Sequence, residues 1–190
     1  MEKILITGTG RCGTTFLIKL LSFLNFNTGF NRENYQYHIY SNCNSGMEKH
    51  YTDKFNTVIK NPEIIREIEE IVKNKSITIK AVLIPIRDYT ESALSRVKNG
   101  WDLPGGLWNA TNESEQIRHY EKIMSNYVYY MTKYDINTIF IDFDRMVKDK
   151  VYLYSKLKPI FDEHKVTFDS YSTVYDEVSI HSKPQDTKKL

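Results

Sequence analysis

The chain has 190 residues, and its 26 Lys and Arg against 24 Asp and Glu leave a net charge of +2. That length suits one domain with a real core, residues 1–190, and so even a balance gives no ground for nucleic-acid binding by charge. Cys12 and Cys43 are too few for a disulfide scaffold and fit a reduced cytoplasm.

The elements alternate along the chain. A β-rich run at residues 4–7 starts almost at Met1, so no signal peptide is expected. A glycine-rich loop, Gly8 to Gly13, opens into a helix at 14–25 with Leu17, Leu20, Leu21 and Leu24 inward. The apolar stretch Phe16 to Leu24 is interrupted by Lys19 and Ser22 and is too short to span a membrane. Residues 27–55, rich in Asn, Tyr and Gly, read as an active-site loop region with a short strand or helix at most. A strand at 57–60 is followed by Asn61 as helix cap and Pro62 at the first helical position. Ile64, Ile65, Ile68, Ile71 and Val72 keep helical period. Residues 77–86 form a strand whose apolar run, 81–86, reads as buried, and 88–98 a helix with Ala93, Leu94 and Val97 as its core face. Residues 99–111 form a candidate lid loop. Asn112 with Glu115 caps a long helix to Tyr134, whose stripe is Ile117, Tyr120, Met124, Tyr127, Val128 and Met131. A strand at 138–142 and two short helices to about Glu163 follow, and the tail from His181 is polar. Such alternation predicts an α/β fold with a mainly parallel central sheet and helices on both faces, three layers in all.

Strand, glycine loop and helix start make an anion cradle: glycines admit close backbone approach and the first helical N–H groups face the bound charge. The ordinary phosphate loop carries Lys after its last Gly. Here Thr14 and Thr15 follow Gly13, and the cation is Arg11 inside the loop. A phosphate or sulfate group is expected there, but not the terminal phosphates of an ordinary ATPase or kinase. Farther on, Arg87 ends a buried strand, where α/β sheets bind ligands. Asp88 and Glu91 form a capping box, and Ser95 lies about two turns into the helix. A surface ion pair of Arg87 with Asp88 or Glu91 is the plainer alternative.

The segment GTGRCGTTFL resembles the 5′-phosphosulfate loop of sulfotransferases. AVLIPIRDYTESALSR, residues 81–96, resembles the 3′-phosphate site of the same family. Weaker likenesses are VIKNPE at 58–63 and TIFIDFDRMVKD at 138–149, and the four follow the family order over most of the chain. The resemblance implies a P-loop-like fold and a cytoplasmic enzyme. It would move a sulfuryl group from 3′-phosphoadenosine 5′-phosphosulfate to a hydroxyl or amine of a small-molecule or carbohydrate acceptor, without a metal. Arg11, Thr14 and Thr15, with loop positions Gly10, Cys12 and Gly13, would hold the phosphosulfate, and Arg11 would also meet charge on the bridging oxygen. Arg87 and Ser95 would hold the 3′-phosphate. Phe16 stands where relatives have an aromatic contacting adenine, or is simply a core residue.

Two departures matter. Tyr89 replaces a usual Pro, at little consequence. Pro62 stands where cytosolic relatives carry their His base, which leaves Glu33 as candidate base, His38 as second choice, and Lys60 as an assisting cation. Tyr35, Tyr37, Tyr40, Trp101 and Trp108 are candidate acceptor contacts. Two other classes stay open: a P-loop kinase with an altered loop, using Asp142 as metal ligand, and a nucleotide-binding module without catalysis.

Overall fold

The computed structural model describes residues 1–40, 43–99 and 105–180. Trp101, Pro104 and the tail from His181 lie outside these residues. The central sheet has four parallel strands in the order β4-β1-β5-β6, with β1 Glu2–Ile6, β4 Val58–Lys60, β5 Thr78–Ile86 and β6 Thr138–Asp142. In register, Ile6 lies beside Lys60 on one side and Leu83 on the other. All four strands run the same way, so the ends of β1, β4, β5 and β6 deliver the glycine loop, Lys60, Arg87 and Asp142 to one edge. The chain order reverses around β1, which makes that edge a topological switch point, the place where open α/β sheets bind ligands.

Period-two alternation sends β1 side chains to two cores. Ile4 and Ile6 join Val58, Leu83 and Ile141 on one face, under helices α1 Thr14–Phe23, α6 Lys150–Glu163 and α7 Phe168–Ile180. Leu5 joins Ile59, Val82 and Ile84 on the other, under α2 Ile64–Lys73 and α4 Glu113–Lys133. The fold is therefore α/β with helices on both faces of a parallel sheet, as the alternation predicted. The helix α3 Tyr89–Asn99 packs against α4, and α5 Phe143–Lys148 follows β6 directly.

Local caps follow the sequence closely. Asp88 Oδ1 accepts from the Glu91 N–H at 2.9 Å, and Asn112 Oδ1 from the Glu115 N–H at 3.0 Å. Helix α2 begins later than expected: Asn61 Oδ1 accepts from the Glu63 N–H at 2.8 Å, but regular helix starts at Ile64. The inner face of α3 is not the expected one. Ser92, Ala93 and Arg96 are buried, while Leu94 and Val97 are exposed. On α4, Tyr120, Ile123, Tyr127 and Met131 are buried and Val128 faces solvent. Helix α7 was not foreseen, although Tyr171, Val174, Tyr175 and Val178 keep helical spacing and are all buried.

Within residues 27–55 a 3-10 turn, Tyr35–His38, leads into a small antiparallel pair, β2 Ile39–Tyr40 and β3 Ser45–Gly46. Lys3 anchors the end of this segment. Its buried Nζ donates to the carbonyls of Asp53 at 2.6 Å and Asn56 at 2.7 Å. Among the described residues no helix is long and apolar enough to cross a membrane.

Candidate functional site

The turn after β1 is built on left-handed backbone. Gly10, Arg11 and Gly13 have φ of 77°, 58° and 91°. Gly13 is the N-cap of α1 and has no side-chain cap. A Cβ on Gly13 would run into Met146 and Phe143 of α5. Gly13→Ala is therefore expected to destabilise the fold by more than about 1 kcal/mol, since both the backbone angle and the space are wrong for Ala. Thermal denaturation compared with wild type checks this. Arg11 accepts a conformation that costs a non-glycine residue about 1–3 kcal/mol, the kind of strain that gathers at ligand sites.

Above this turn lies a cleft of about 1120 Å³. That is at the top of the usual size for a ligand pocket, with room for a nucleotide and a second molecule. Its walls carry six cationic side chains, Arg11, Lys19, Lys60, Arg87, Arg96 and Lys98, against three carboxylates, Glu48, Glu63 and Glu91. The chain's positive charge is thus concentrated here. Each carboxylate is already paired: Glu48 with Lys60 at 2.6 Å, Glu63 with Arg66 at 2.9 Å and Glu91 with Arg87 at 3.1 Å. Among the described residues Arg11, Lys19, Arg96 and Lys98 have no carboxylate partner.

The cleft lining carries two hydrogen-bonded clusters. In the first, motifs more than 80 residues apart meet, as Arg11 Nε donates to Ser95 Oγ at 3.1 Å. Arg11 Nη1 also donates to the Cys43 carbonyl. Arg87 Nη1 reaches the Arg11 carbonyl at 3.4 Å, and its guanidinium lies 4.7 Å from the Phe143 ring centre. Arg96 is buried, donates to Tyr120 Oη at 2.7 Å and to the Gly106 carbonyl at 2.5 Å, and sits over Trp108. Burial pushes the Arg11 guanidinium below its ordinary pKa; Arg96 and Arg87 push the same way, against the opposing pull of Cys43. It stays charged, because arginine does not lose its proton in proteins. Guanidiniums crowded without matching carboxylates are a standing preference for an anion.

In the second cluster Lys60 is buried and spends all three N–H donors: on Thr15 Oγ1 at 3.0 Å, the Gly46 carbonyl at 2.6 Å and Glu48 Oε1 at 2.6 Å. Burial lowers its pKa, and the Glu48 charge works against that. Thr14 and Thr15 open α1 here, so the free N–H groups of its first turn, Thr15 and Lys60 converge.

Several sequence expectations change. Arg11 was expected at the bridging oxygen of the donor; its side chain is turned to Ser95, while Lys60 holds the Thr15 end. Glu33 does not line the cleft. It is exposed on a separate small depression with Ser22, Asn25, Asn31 and Arg32, because Asn31 Oδ1 accepts its backbone N–H at 2.9 Å and fixes the turn facing outward. His38 does not line the cleft either: its ring packs edge-on to Phe30. The carboxylate of this segment that does reach the cleft is Glu48. Cys12 is fully buried, and burial pushes its thiol up, so it is no thiolate despite the nearby helix start. Phe16 borders the cleft but is buried edge-on against Tyr175 at 5.7 Å, a core role. Tyr35, Tyr40 and Trp108 line the cleft; Tyr37 does not and is exposed. Arg87 has the Glu91 pairing that the plainer alternative called for, while still facing the cleft. Asp142, the acid a kinase would need, caps α5 by accepting from the Arg145 N–H at 2.7 Å and does not line the cleft.

The fold and the site together define an α/β protein with a cation-rich cleft at the carboxyl edge of a parallel sheet. Comparison with known protein families, with curated proteins and with solved structures finds no match.

Proposed function

We propose that this chain is a sulfotransferase-like enzyme that uses 3′-phosphoadenosine 5′-phosphosulfate and an acceptor hydroxyl or amine. The observation that carries the reading is the meeting of the two sequence motifs: Arg11 of the glycine loop bonds Ser95 of α3, with Arg87 and Arg96 beside them. This cluster suits a phosphate monoester such as the 3′-phosphate. The cluster at Thr14, Thr15 and Lys60 suits the phosphosulfate. Two clusters of donors and cations lining one cleft would suit a nucleotide with charge at both its 3′ and 5′ positions.

The donor supplies the transferable group: a bond forms from the acceptor oxygen to sulfur, the bond from sulfur to the phosphate oxygen breaks, and the bisphosphate leaves. The protein's part is positioning and charge stabilisation. The first N–H groups of α1 would donate to the charge that grows on the leaving phosphate, and Lys60, its donors held by Thr15, Gly46 and Glu48, would add positive charge nearby. Arg11, Arg87, Arg96 and Ser95 anchor the 3′-phosphate. Glu48 takes the acceptor's proton: one of its oxygens is held by Lys60, and the carboxylate borders the cleft with part of its surface open.

The test is transfer of radiolabel from sulfur-35 donor into products of a metabolite extract. Labelled product that depends on intact Lys60 and is unaffected by removing Mg²⁺ is the expected result. Donor that binds without any transfer would leave the nucleotide-binding module, and ATP-dependent labelling that needs Mg²⁺ would favour the kinase.

A further inference from the structure

We propose that the acceptor carries its own anionic group, a carboxylate or a sulfate ester, which Lys19 binds about one helical turn from the transfer point. The inference rests on the sulfotransferase reading and concerns the acceptor half of the same cleft.

Lys19 interrupts an otherwise apolar helix and is only 5% exposed, yet it borders the cleft. No carboxylate answers it among the described residues. Its Nζ lies 4.4 Å from the centre of the Tyr35 ring and 5.4 Å from that of Phe23. Aromatic faces soften the cost of burying an ammonium but supply no countercharge. A lysine this buried is ordinarily paired. Among the described residues no partner is supplied, and a ligand's anion would supply it.

Position gives the ligand's shape. Thr15 and Lys19 are four residues apart on α1, hence on one face and about 6 Å apart along its axis. Thr15 accepts from Lys60, which holds Glu48. Both Glu48 and Lys19 line the cleft, so a sugar with its reacting hydroxyl at Glu48 and an anionic group on the far side of the ring would run along this face toward Lys19. Tyr40, exposed, also lines the cleft. The transfer itself is unchanged: the hydroxyl oxygen bonds sulfur, its proton passes to Glu48, and the bisphosphate departs.

The experiment uses 4-nitrophenyl β-D-glucuronide, the matching glucoside and the glucoside 6-sulfate. Binding of each to the full chain is followed by calorimetry, with and without saturating 3′,5′-bisphosphate. Wild type is expected to bind an anionic sugar about tenfold or more tighter than the neutral glucoside. Preference for glucuronide over 6-sulfate, or the reverse, identifies the anion. Lys19→Met keeps the buried stem and should erase the preference without changing bisphosphate affinity. Equal binding of all three sugars, binding of none, or a preference that persists in Lys19→Met overturns the proposal. The wild-type comparison stands even if Lys19→Met does not fold. Failure of the bisphosphate to bind, with the sugar preference intact, would instead count against the nucleotide reading.

Discussion

Glu48→Gln is expected to lower turnover by about 10²–10⁴-fold, the usual loss when a general base is removed. Glutamine keeps the shape and can still accept from Lys60, so nucleotide affinity should hardly change. Glu33→Gln is the matched control. Glu33 is exposed on the other side of the loop segment, and its loss should leave the rate near wild type. The two residues are both glutamates after α1, so only geometry separates them. Steady-state rates of the two variants, with donor saturating, decide the assignment. A normal rate in Glu48→Gln would remove it from proton transfer. A large loss in Glu33→Gln would mean the segment rearranges when substrates bind.

The second large effect belongs to Arg11. A charge-assisted hydrogen bond to an anion is worth roughly 1.5–3 kcal/mol, so Arg11→Ala should weaken 3′,5′-bisphosphate binding by about 10- to 150-fold. The loss should fall on affinity and spare the rate at saturation, because the guanidinium is bound to Ser95 rather than to the Thr15 end. Relief of the left-handed backbone at Arg11 does not accompany the change, since Ala at φ 58° is strained as well. Titration calorimetry gives the affinity, and a saturation curve gives the rate. A fall in rate at full saturation with unchanged affinity would return Arg11 to the transferring group and reverse the division of labour with Lys60.

Much of the fold was legible because local signals and burial agree. The run from Ala81 to Ile86 is apolar throughout and became the strand beside β1 in the sheet. Asp88 and Asn112 cap where their side chains can reach the third N–H along. The cleft lining was legible in part, since glycine spacing and a strand-end arginine reflect backbone geometry. What escaped depends on tertiary contact. Arg96 sits on the inner face of α3, where Leu94 had been expected, because the cleft side of that helix meets Tyr120 and Gly106. Glu48 lies in a segment with no periodicity, and only the buried Lys60 Nζ draws it in. Lys19 left a visible trace, a charge within an apolar helix, but its meaning needed the cleft. Helix α7 had its spacing in plain view, with Thr167 Oγ1 accepting the Ser170 N–H at 3.3 Å as its start.

The central claim is that the cleft holds a nucleotide charged at both ends. Its most direct measurement is titration calorimetry of the full chain with 3′-phosphoadenosine 5′-phosphate, AMP and ATP, each with and without Mg²⁺. The bisphosphate should bind at least tenfold tighter than AMP, since the Arg11, Ser95 and Arg87 end meets a phosphate that AMP lacks, and Mg²⁺ should make no difference. Equal affinity for AMP and the bisphosphate, or tightest binding by ATP with Mg²⁺, would contradict it.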